Sequence, residues 1–206
     1  MALCHTQSPE GGWWSMPREL AVLVGLPGSG KTSFRLRHPE WAVVSPDDVR
    51  RTVFHCDYDP AHEDVVRRII AATLVETVES SVPVVCVDST HLTRAERQPL
   101  VEVARLCGRE PIAHVMPLLP LEILYARKQE QLAILAREHP EVRVNGFPRD
   151  TYEAVCGRYE EVRPDEGFVR IVHEVLPPLS PREARRSRRP VSPRPDEPEP
   201  LSLFVS

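Results

Sequence analysis

Short apolar runs alternate along the chain with longer segments in which apolar residues recur at helical spacing. The short runs suit strands that are buried on both faces, and the longer segments have the period of amphipathic helices. The strands predicted in this way cover residues 20–24, 41–44, 82–88, 112–116 and 168–175. The helices predicted between them cover residues 60–80, 94–107, 121–138 and 149–162, with two further helices beginning near residues 32 and 46.

Two of the predicted helices begin with capping signals. Ser45 is a candidate N-cap, Pro46 suits the first helical position, and Asp48 follows as a capping-box partner. Thr93 and Glu96 have the same spacing at the start of a later helix. Both signals place a helix start shortly after a predicted strand.

The alternation of strands and helices predicts an α/β fold. Parallel strands need right-handed crossover connections, and these place helices on both faces of the sheet. We therefore expect a three-layer sandwich with a central, mainly parallel sheet. Ligands bind such sheets outside the carboxyl ends of the strands.

Length and composition divide the chain into three parts. A length of 206 residues with 41% hydrophobic residues suffices for one core and leaves no room for a second enzyme domain. Residues 1–17 show no apolar period, and residues 177–206 are rich in proline and arginine. We expect a flexible leader at 1–17, a domain at 18–176 and a disordered tail at 177–206, whose arginines either contact nucleic acid or form a solvated linker.

Charge and cysteine content narrow the class of protein. A formal net charge of -4 and a pI near 6.1 argue against a protein that coats polyanions. The five scattered cysteines lack C-x-x-C spacing, which favours reduced thiols. The sequence also contains neither a long apolar run nor a secretory signal pattern, so we expect a cytoplasmic protein without a membrane span.

One motif connects this fold to a chemistry. Residues 25–32 match the pattern G-x-x-x-x-G-K-[ST] at every fixed position, between a predicted strand and a predicted helix. The glycines allow the backbone N–H groups to surround a phosphate, Lys31 reaches the β- and γ-phosphates, and Thr32 binds Mg²⁺. The motif predicts a P-loop NTPase, kinase-like fold with ATP and Mg²⁺ as cofactors. The candidate nucleotide contacts are Gly25, Leu26, Pro27, Gly28, Ser29, Gly30, Lys31, Thr32 and Ser33.

Carboxylates follow two other predicted strands. Asp88 ends an apolar strand, where an acidic group holds Mg²⁺ through water beside the P-loop threonine. If Asp48 completes the capping box, Asp47 is left to accept the proton of an attacking hydroxyl. Arg50, on the same helix, is then a candidate for binding an acceptor phosphate. The alternatives are acidic residues favoured by the helix dipole and an arginine that is simply exposed.

These segments resemble the P-loop polynucleotide 5′-kinases of phage and bacterial end-repair systems. The resemblance is carried by residues 25–32, by residues 45–50 and by residues 87–93, followed by Arg94 and Arg97. It implies that Asp47 activates a 5′-hydroxyl and that Arg50 contacts the acceptor's phosphate. It also implies a lid helix with two arginines four residues apart, where Arg127 fits the first.

The second lid position departs from that family because it holds Gln131, and Arg137, Arg143 or Arg149 is a candidate substitute. We therefore expect an ATP-dependent kinase that transfers the γ-phosphate to a hydroxyl, with the 5′-hydroxyl of a nucleic-acid end as the preferred acceptor. One alternative is a small-molecule or nucleotide-sugar kinase of the zeta-toxin-like kind. The other is an ATP-binding module that does not catalyse transfer.

Overall fold

A computed structural model of the protein describes residues 18–175, so the leader and tail predicted at 1–17 and 177–206 lie outside the described residues. Within residues 18–175, no helix is long and apolar enough to cross a membrane. The strands are β1 Glu19–Val24, β2 Ala42–Val44, β3 Val84–Val87, β4 Glu110–Val115 and β5 Arg170–His173. The α-helices are α1 Lys31–Arg35, α2 Pro46–Phe54, α3 Glu63–Glu79, α4 Arg94–Leu106, α5 Leu121–Glu138 and α6 Arg149–Cys156.

The described part of the chain forms a five-stranded sheet in the order β2-β3-β1-β4-β5. Every pairing is parallel, which confirms the predicted fold class. Val22 of β1 pairs with Val87 of β3, and Val24 pairs with Val115 of β4, so the strands end at a common edge. The loop after β1, the start of α2 and Asp88 all follow strands at this carboxyl edge.

Helices cover both faces of the sheet. Leu20, Val22 and Val24 of β1 belong to a buried cluster that includes side chains from α3 and α4. The alternate β1 residues, Ala21 and Leu23, pack in a second cluster with Phe34 of α1. Because successive strand side chains point to opposite faces, the two clusters define the predicted three-layer sandwich.

The last two helices pack near the carboxyl edge of the sheet. Leu124 of α5 and Tyr152 and Cys156 of α6 form a third buried cluster with Leu26 and Leu92, from the loops after β1 and β3. The α5 and α6 pair therefore contacts the loop that carries the P-loop motif.

The clearest difference from the predicted elements is the end of α6. The helix predicted for residues 149–162 ends at Cys156, and the Gly157 N–H donates to the Glu153 carbonyl at 2.8 Å. The chain then continues without regular structure to a 3-10 turn at Pro164–Glu166, although Val162 is still buried in the core. The apolar period therefore predicted burial correctly but extended the helix too far.

The irregular segment is held by Arg97 of α4, whose side chain is fully buried. Its Nε and Nη2 atoms each lie 2.7 Å from a carboxylate oxygen of Glu166, and Nη1 donates to the Glu160 carbonyl at 3.1 Å. Arg94 pairs with Asp165 at 2.9 Å on the surface. Both arginines quoted for the family resemblance thus join α4 to the segment that follows α6.

Candidate active site

The loop between β1 and α1 has the backbone conformation that its glycines allow. Gly28 and Gly30 have φ values of 82° and 97°, in the left-handed region that glycine adopts without strain. A Cβ atom on Gly28 would lie 2.2 Å from the Leu124 carbonyl oxygen of α5. Position 28 therefore requires glycine for two reasons: its φ is left-handed, and α5 leaves no room for a Cβ atom.

We expect Gly28→Ala to destabilise the protein by about 2–4 kcal/mol, because a left-handed alanine costs about 1 kcal/mol and the overlap with the α5 backbone adds to it. Gly146→Ala is the matched control, since Gly146 has a φ of 83° and no neighbouring atom within 4 Å of an added Cβ. Gly146→Ala should lose only the stability that a left-handed alanine costs, about 1 kcal/mol. Urea unfolding of both variants measures the difference, and equal losses would show that α5 does not restrict Gly28.

Tyr152 of α6 fixes the P-loop from outside the motif. Its side chain is buried, and its hydroxyl donates a hydrogen bond to the Pro27 carbonyl at 2.8 Å. In the sequence, Tyr152 lies on the apolar face of the helix predicted for residues 149–162, and that pattern indicates only burial. The available signal was its hydroxyl, because a buried tyrosine usually needs a hydrogen-bond partner.

Lys31 lies within the loop, where its Nζ donates to the Gly25 carbonyl at 2.7 Å and to the Leu26 carbonyl at 3.0 Å. The pKa of Lys31 is lowered to about 8, mainly because the side chain is buried; the negative charges of Asp88 and Asp47 oppose this lowering, and the positive charge of Lys128 on α5 contributes to it. The predicted catalytic lysine and both predicted carboxylates are thus within electrostatic range of one another. No motif or spacing in the sequence indicates a role for Lys128 at this site.

The lowered pKa of Lys31 predicts how both the stability of the protein and its affinity for nucleotide change with pH. The folded protein binds fewer protons than the unfolded chain between pH 8 and 10.5, so its stability rises with pH in that window. Bound phosphates favour the ammonium form of Lys31. We therefore expect ADP affinity to fall as the pH rises above about 8, by up to about tenfold per pH unit.

Calorimetric titration of ADP at several pH values above neutrality measures this slope. Lys31→Arg is the matched control, because a guanidinium stays charged throughout the window. Its affinity should be nearly independent of pH, even if it is weaker throughout. Parallel slopes for the two proteins would contradict the assignment of this titration to Lys31.

The P-loop also contains an unsatisfied polar atom. Among the described residues, the Ser29 Oγ atom is buried and has no hydrogen-bond partner. The backbone N–H groups in the first turn of the short helix α1 likewise have no acceptor within that helix. A phosphate oxygen supplies an acceptor to such groups, so the loop fits a nucleotide phosphate. Thr32 is half-buried and Ser33 is exposed on the same helix.

Asp88 directly follows β3, and its N–H donates to the Val44 carbonyl at 2.9 Å. Burial raises the pKa of Asp88, while Arg35 and Lys31 oppose that rise. Among the described residues there is no group of three or more His, Cys, Asp or Glu side chains suited to a metal. Mg²⁺ bound by one carboxylate, the Thr32 hydroxyl, water and phosphates fits this composition, because Mg²⁺ retains several waters in phosphate sites.

Asp48 has a different partner from the one predicted. Its backbone N–H donates to the Ser45 Oγ at 3.3 Å, as expected for an N-cap. Its carboxylate, however, accepts two hydrogen bonds from Arg35, at 2.6 and 3.0 Å. A bidentate, charge-assisted pair is stronger than a return bond to the cap, so the box is only half formed. Asp48 is thus engaged by Arg35, a residue that the sequence did not single out.

Asp47 and Arg50 form a pair at the start of α2, as Arg50 Nη1 donates to Asp47 at 2.6 Å. The Nε and Nη2 atoms of Arg50 donate to the two oxygens of Glu63, both at 2.8 Å. Asp47 remains half exposed, whereas Glu63 and Arg50 are largely buried. Glu63 opens α3 and was missed, because an acidic residue in the first turn of a helix is common without any site.

The predicted lid helix is α5, with the bounds that the sequence indicated. Arg127 is partly buried on it, and Lys128 Nζ lies 3.5 Å from Gln131 Oε1. The candidate substitutes pair with carboxylates: Arg137 with Glu138, Arg143 with Asp59, and Arg149 with Glu122 and Glu153. The role of each arginine in a lid therefore stays a prediction.

The parallel sheet and the loop after its central strand define a P-loop protein with a kinase-like fold. The sequence profile of the AAA domain family matches residues 20–146, more than half of the chain. The chain therefore belongs to the AAA domain family, a family of P-loop kinases. A search among curated proteins gives no match.

Solved structures share this fold. The Pnkp1/Rnl/Hen1 RNA repair complex has a TM-score of 0.54 and 20% sequence identity, with 74% of this chain and 46% of that chain covered. Chaetomium thermophilum Kti12 in complex with ADP-AlF3 has a TM-score of 0.52 and 19% identity, with 82% and 94% covered. The PezAT toxin-antitoxin system of Streptococcus pneumoniae has a TM-score of 0.50 and 17% identity, with 66% and 60% covered.

The chain spans 39% and 46% of the chains that it matches in two structures of the Pnkp1/Rnl/Hen1 complex. The identities in these comparisons are low, so they support a common fold.

Proposed function

We propose that this protein is an ATP-dependent kinase that transfers the γ-phosphate to a hydroxyl group. The observation that carries the proposal is the position of Lys31, which lies buried in the P-loop and interacts electrostatically with Asp88 and Asp47. Phosphoryl transfer requires a cation for the phosphates, a carboxylate that can hold Mg²⁺ and a carboxylate that can accept a proton. Lys31, Asp88 and the half-exposed Asp47 are suited to these roles.

Each residue has a role in this reaction. ATP with Mg²⁺, when bound, supplies the phosphoryl group and a divalent charge that offsets the phosphates. Lys31 and the loop amides bind the β- and γ-phosphates, and Asp88 and Thr32 would hold Mg²⁺. Asp47 accepts the proton as the hydroxyl oxygen bonds to the γ-phosphorus, and the bond from that phosphorus to the β-phosphate oxygen breaks to give ADP. Arg127 of α5 is the candidate for offsetting charge on the transferred group.

The preferred acceptor is the 5′-hydroxyl of a nucleic-acid end. The resemblance of residues 45–50 to polynucleotide 5′-kinases supports this acceptor, as does a fold shared with an RNA repair complex. Arg50 is the candidate contact for an acceptor phosphate. That phosphate would compete with the Glu63 carboxylate for the Arg50 guanidinium.

The pairing of Arg50 with Glu63 also favours a second candidate function. Because Arg50 already faces two carboxylates, an acceptor whose hydroxyl lies on a sugar or another group without a nearby phosphate would fit beside Asp47 without displacing Glu63. A small-molecule or nucleotide-sugar kinase is therefore the alternative. A non-catalytic ATP-binding module is the third candidate, because Gln131 stands where the resemblance implies a second lid arginine.

A transfer assay with γ-labelled ATP separates the candidates. The acceptor panel contains 5′-hydroxyl DNA and RNA oligonucleotides, nucleosides and sugar nucleotides, each with and without Mg²⁺. Label on an oligonucleotide supports the preferred acceptor, label on a small molecule supports the second candidate, and ATP binding without transfer supports the third.

Lys31→Ala is the accompanying variant, and we expect it to lose Mg²⁺-dependent ATP binding because its ammonium offsets phosphate charge. Arg67→Ala is the control, since it removes one positive charge from an exposed ion pair with Asp64 on α3. Unchanged ATP affinity in Lys31→Ala would reject the nucleotide site and with it the kinase proposal.

A further inference from the structure

Arg35 links three elements at the carboxyl edge of the sheet. It is the last residue of α1, four positions after Lys31, so both side chains lie on the same side of that helix. Two of its guanidinium nitrogens donate to Asp48 of α2, and Nε lies 3.1 Å from Asp88 Oδ2 after β3. Arg35 thus bridges the candidate metal-binding carboxylate and the start of the helix that carries Asp47.

The two ends of this bridge differ in their exposure to solvent. The side chains of Arg35 and Asp88 are only 11% and 8% exposed, whereas that of Asp48 is 43% exposed. Shielding from water strengthens the interaction between Arg35 and Asp88. Asp48 then holds the guanidinium in place from the solvent side.

The bridge also balances a concentration of negative charge. Asp47 and Asp48 both lie within electrostatic range of Asp88, and the cations facing Asp88 are Arg35 and Lys31. Neighbouring carboxylates are the ligands that divalent cations prefer, and a guanidinium between them lowers that attraction. Without Arg35, Asp88 would lose the larger of these two positive charge interactions.

We propose that Arg35 is a positioning residue and an internal counter-ion. It holds Asp88 against the first turn of α2 and prevents the carboxylates from binding Mg²⁺ by themselves, so that the metal enters together with the nucleotide. This inference rests on the proposed binding of ATP and Mg²⁺ at the same site. Its test, however, requires neither nucleotide nor transfer.

The experiment titrates MgCl₂ into nucleotide-free protein and follows the melting temperature and the heat of binding. We expect no saturable response from the wild-type protein. Arg35→Gln should bind Mg²⁺ at least about tenfold more tightly, because removal of one positive charge leaves Asp48 and Asp88 without their shared partner. Adding Asp88→Asn to Arg35→Gln should abolish the gain.

Two variants separate charge from fold. Arg37→Gln removes a neighbouring arginine that lies over the Phe34 ring at 5.4 Å, and it should behave like wild type. Arg35→Lys retains the positive charge, so its Mg²⁺ affinity should stay near that of wild type. A merely structural role for Arg35 would lower the melting temperature of Arg35→Gln without making it depend on Mg²⁺.

Two results would overturn the inference: tight Mg²⁺ binding by the nucleotide-free wild-type protein, or a folded Arg35→Gln variant without a gain in affinity. Tight Mg²⁺ binding by the wild-type protein would overturn the inference even if Arg35→Gln does not fold. A gain in Mg²⁺ affinity together with no transfer to any acceptor would preserve the role of Arg35 and reject the kinase proposal.

Discussion

Asp47→Asn is expected to reduce phosphoryl transfer by about 10²- to 10⁴-fold, which is the usual effect of removing a general base. Asparagine retains the shape of the side chain and an oxygen that accepts the hydrogen bond from Arg50, but it does not take up the hydroxyl proton. ATP affinity and melting temperature should therefore stay close to wild type. Turnover, ATP titration and thermal unfolding of the same preparation measure the three quantities.

Asp48→Asn is the matched control for Asp47→Asn, because the two residues are adjacent in the first turn of α2. Its side chain pairs with Arg35 and is partly exposed, so we expect a loss of stability of no more than about 1 kcal/mol and a much smaller loss of turnover. If Asp48→Asn abolished transfer and Asp47→Asn did not, Asp48 would be the base. If neither variant changed turnover, the proposed mechanism would be wrong.

The fold was predictable because its signals are local. Residues Leu20 to Val24 form an unbroken apolar run, and in the structure they are the fully buried central strand. The capping box of Thr93 and Glu96 is complete, since both partners lie within one helical turn. The P-loop was found for the same reason, as its fixed spacing occurs within a single segment.

Partners of charged side chains were not predictable in this way. Arg35 contacts Asp48 and Arg50 contacts Glu63, in both cases across thirteen positions and two structural elements. No period in the sequence connects such pairs, and an arginine on a helix usually faces solvent. The prediction that Asp48 completes the capping box is wrong, because its carboxylate binds Arg35 rather than the Ser45 backbone N–H.

The end of α6 shows how a tertiary contact overrides an apolar period. Tyr159 and Val162 continue the spacing of the α6 face, and both pack against the core. The carbonyls of Glu160 and Glu161, however, face the buried guanidinium of Arg97 at 3.1 and 3.4 Å. A helix through these residues would direct those carbonyls along its own axis, so the pairing of Arg97 favours the irregular path.

Glu166→Gln should test that pairing with the largest expected loss of stability, about 3–5 kcal/mol, because it leaves the buried charge of Arg97 without its counter-charge. Glutamine has nearly the same size, so a cavity contributes little to the loss. Asp165→Asn is the adjacent control, since it removes a carboxylate from an exposed pair with Arg94, and its effect on unfolding should be small. Urea unfolding gives both free energies. Similar values for the two variants would mean that Arg97 is held mainly by the backbone carbonyls, and that Glu166 is not needed to fix the segment after α6.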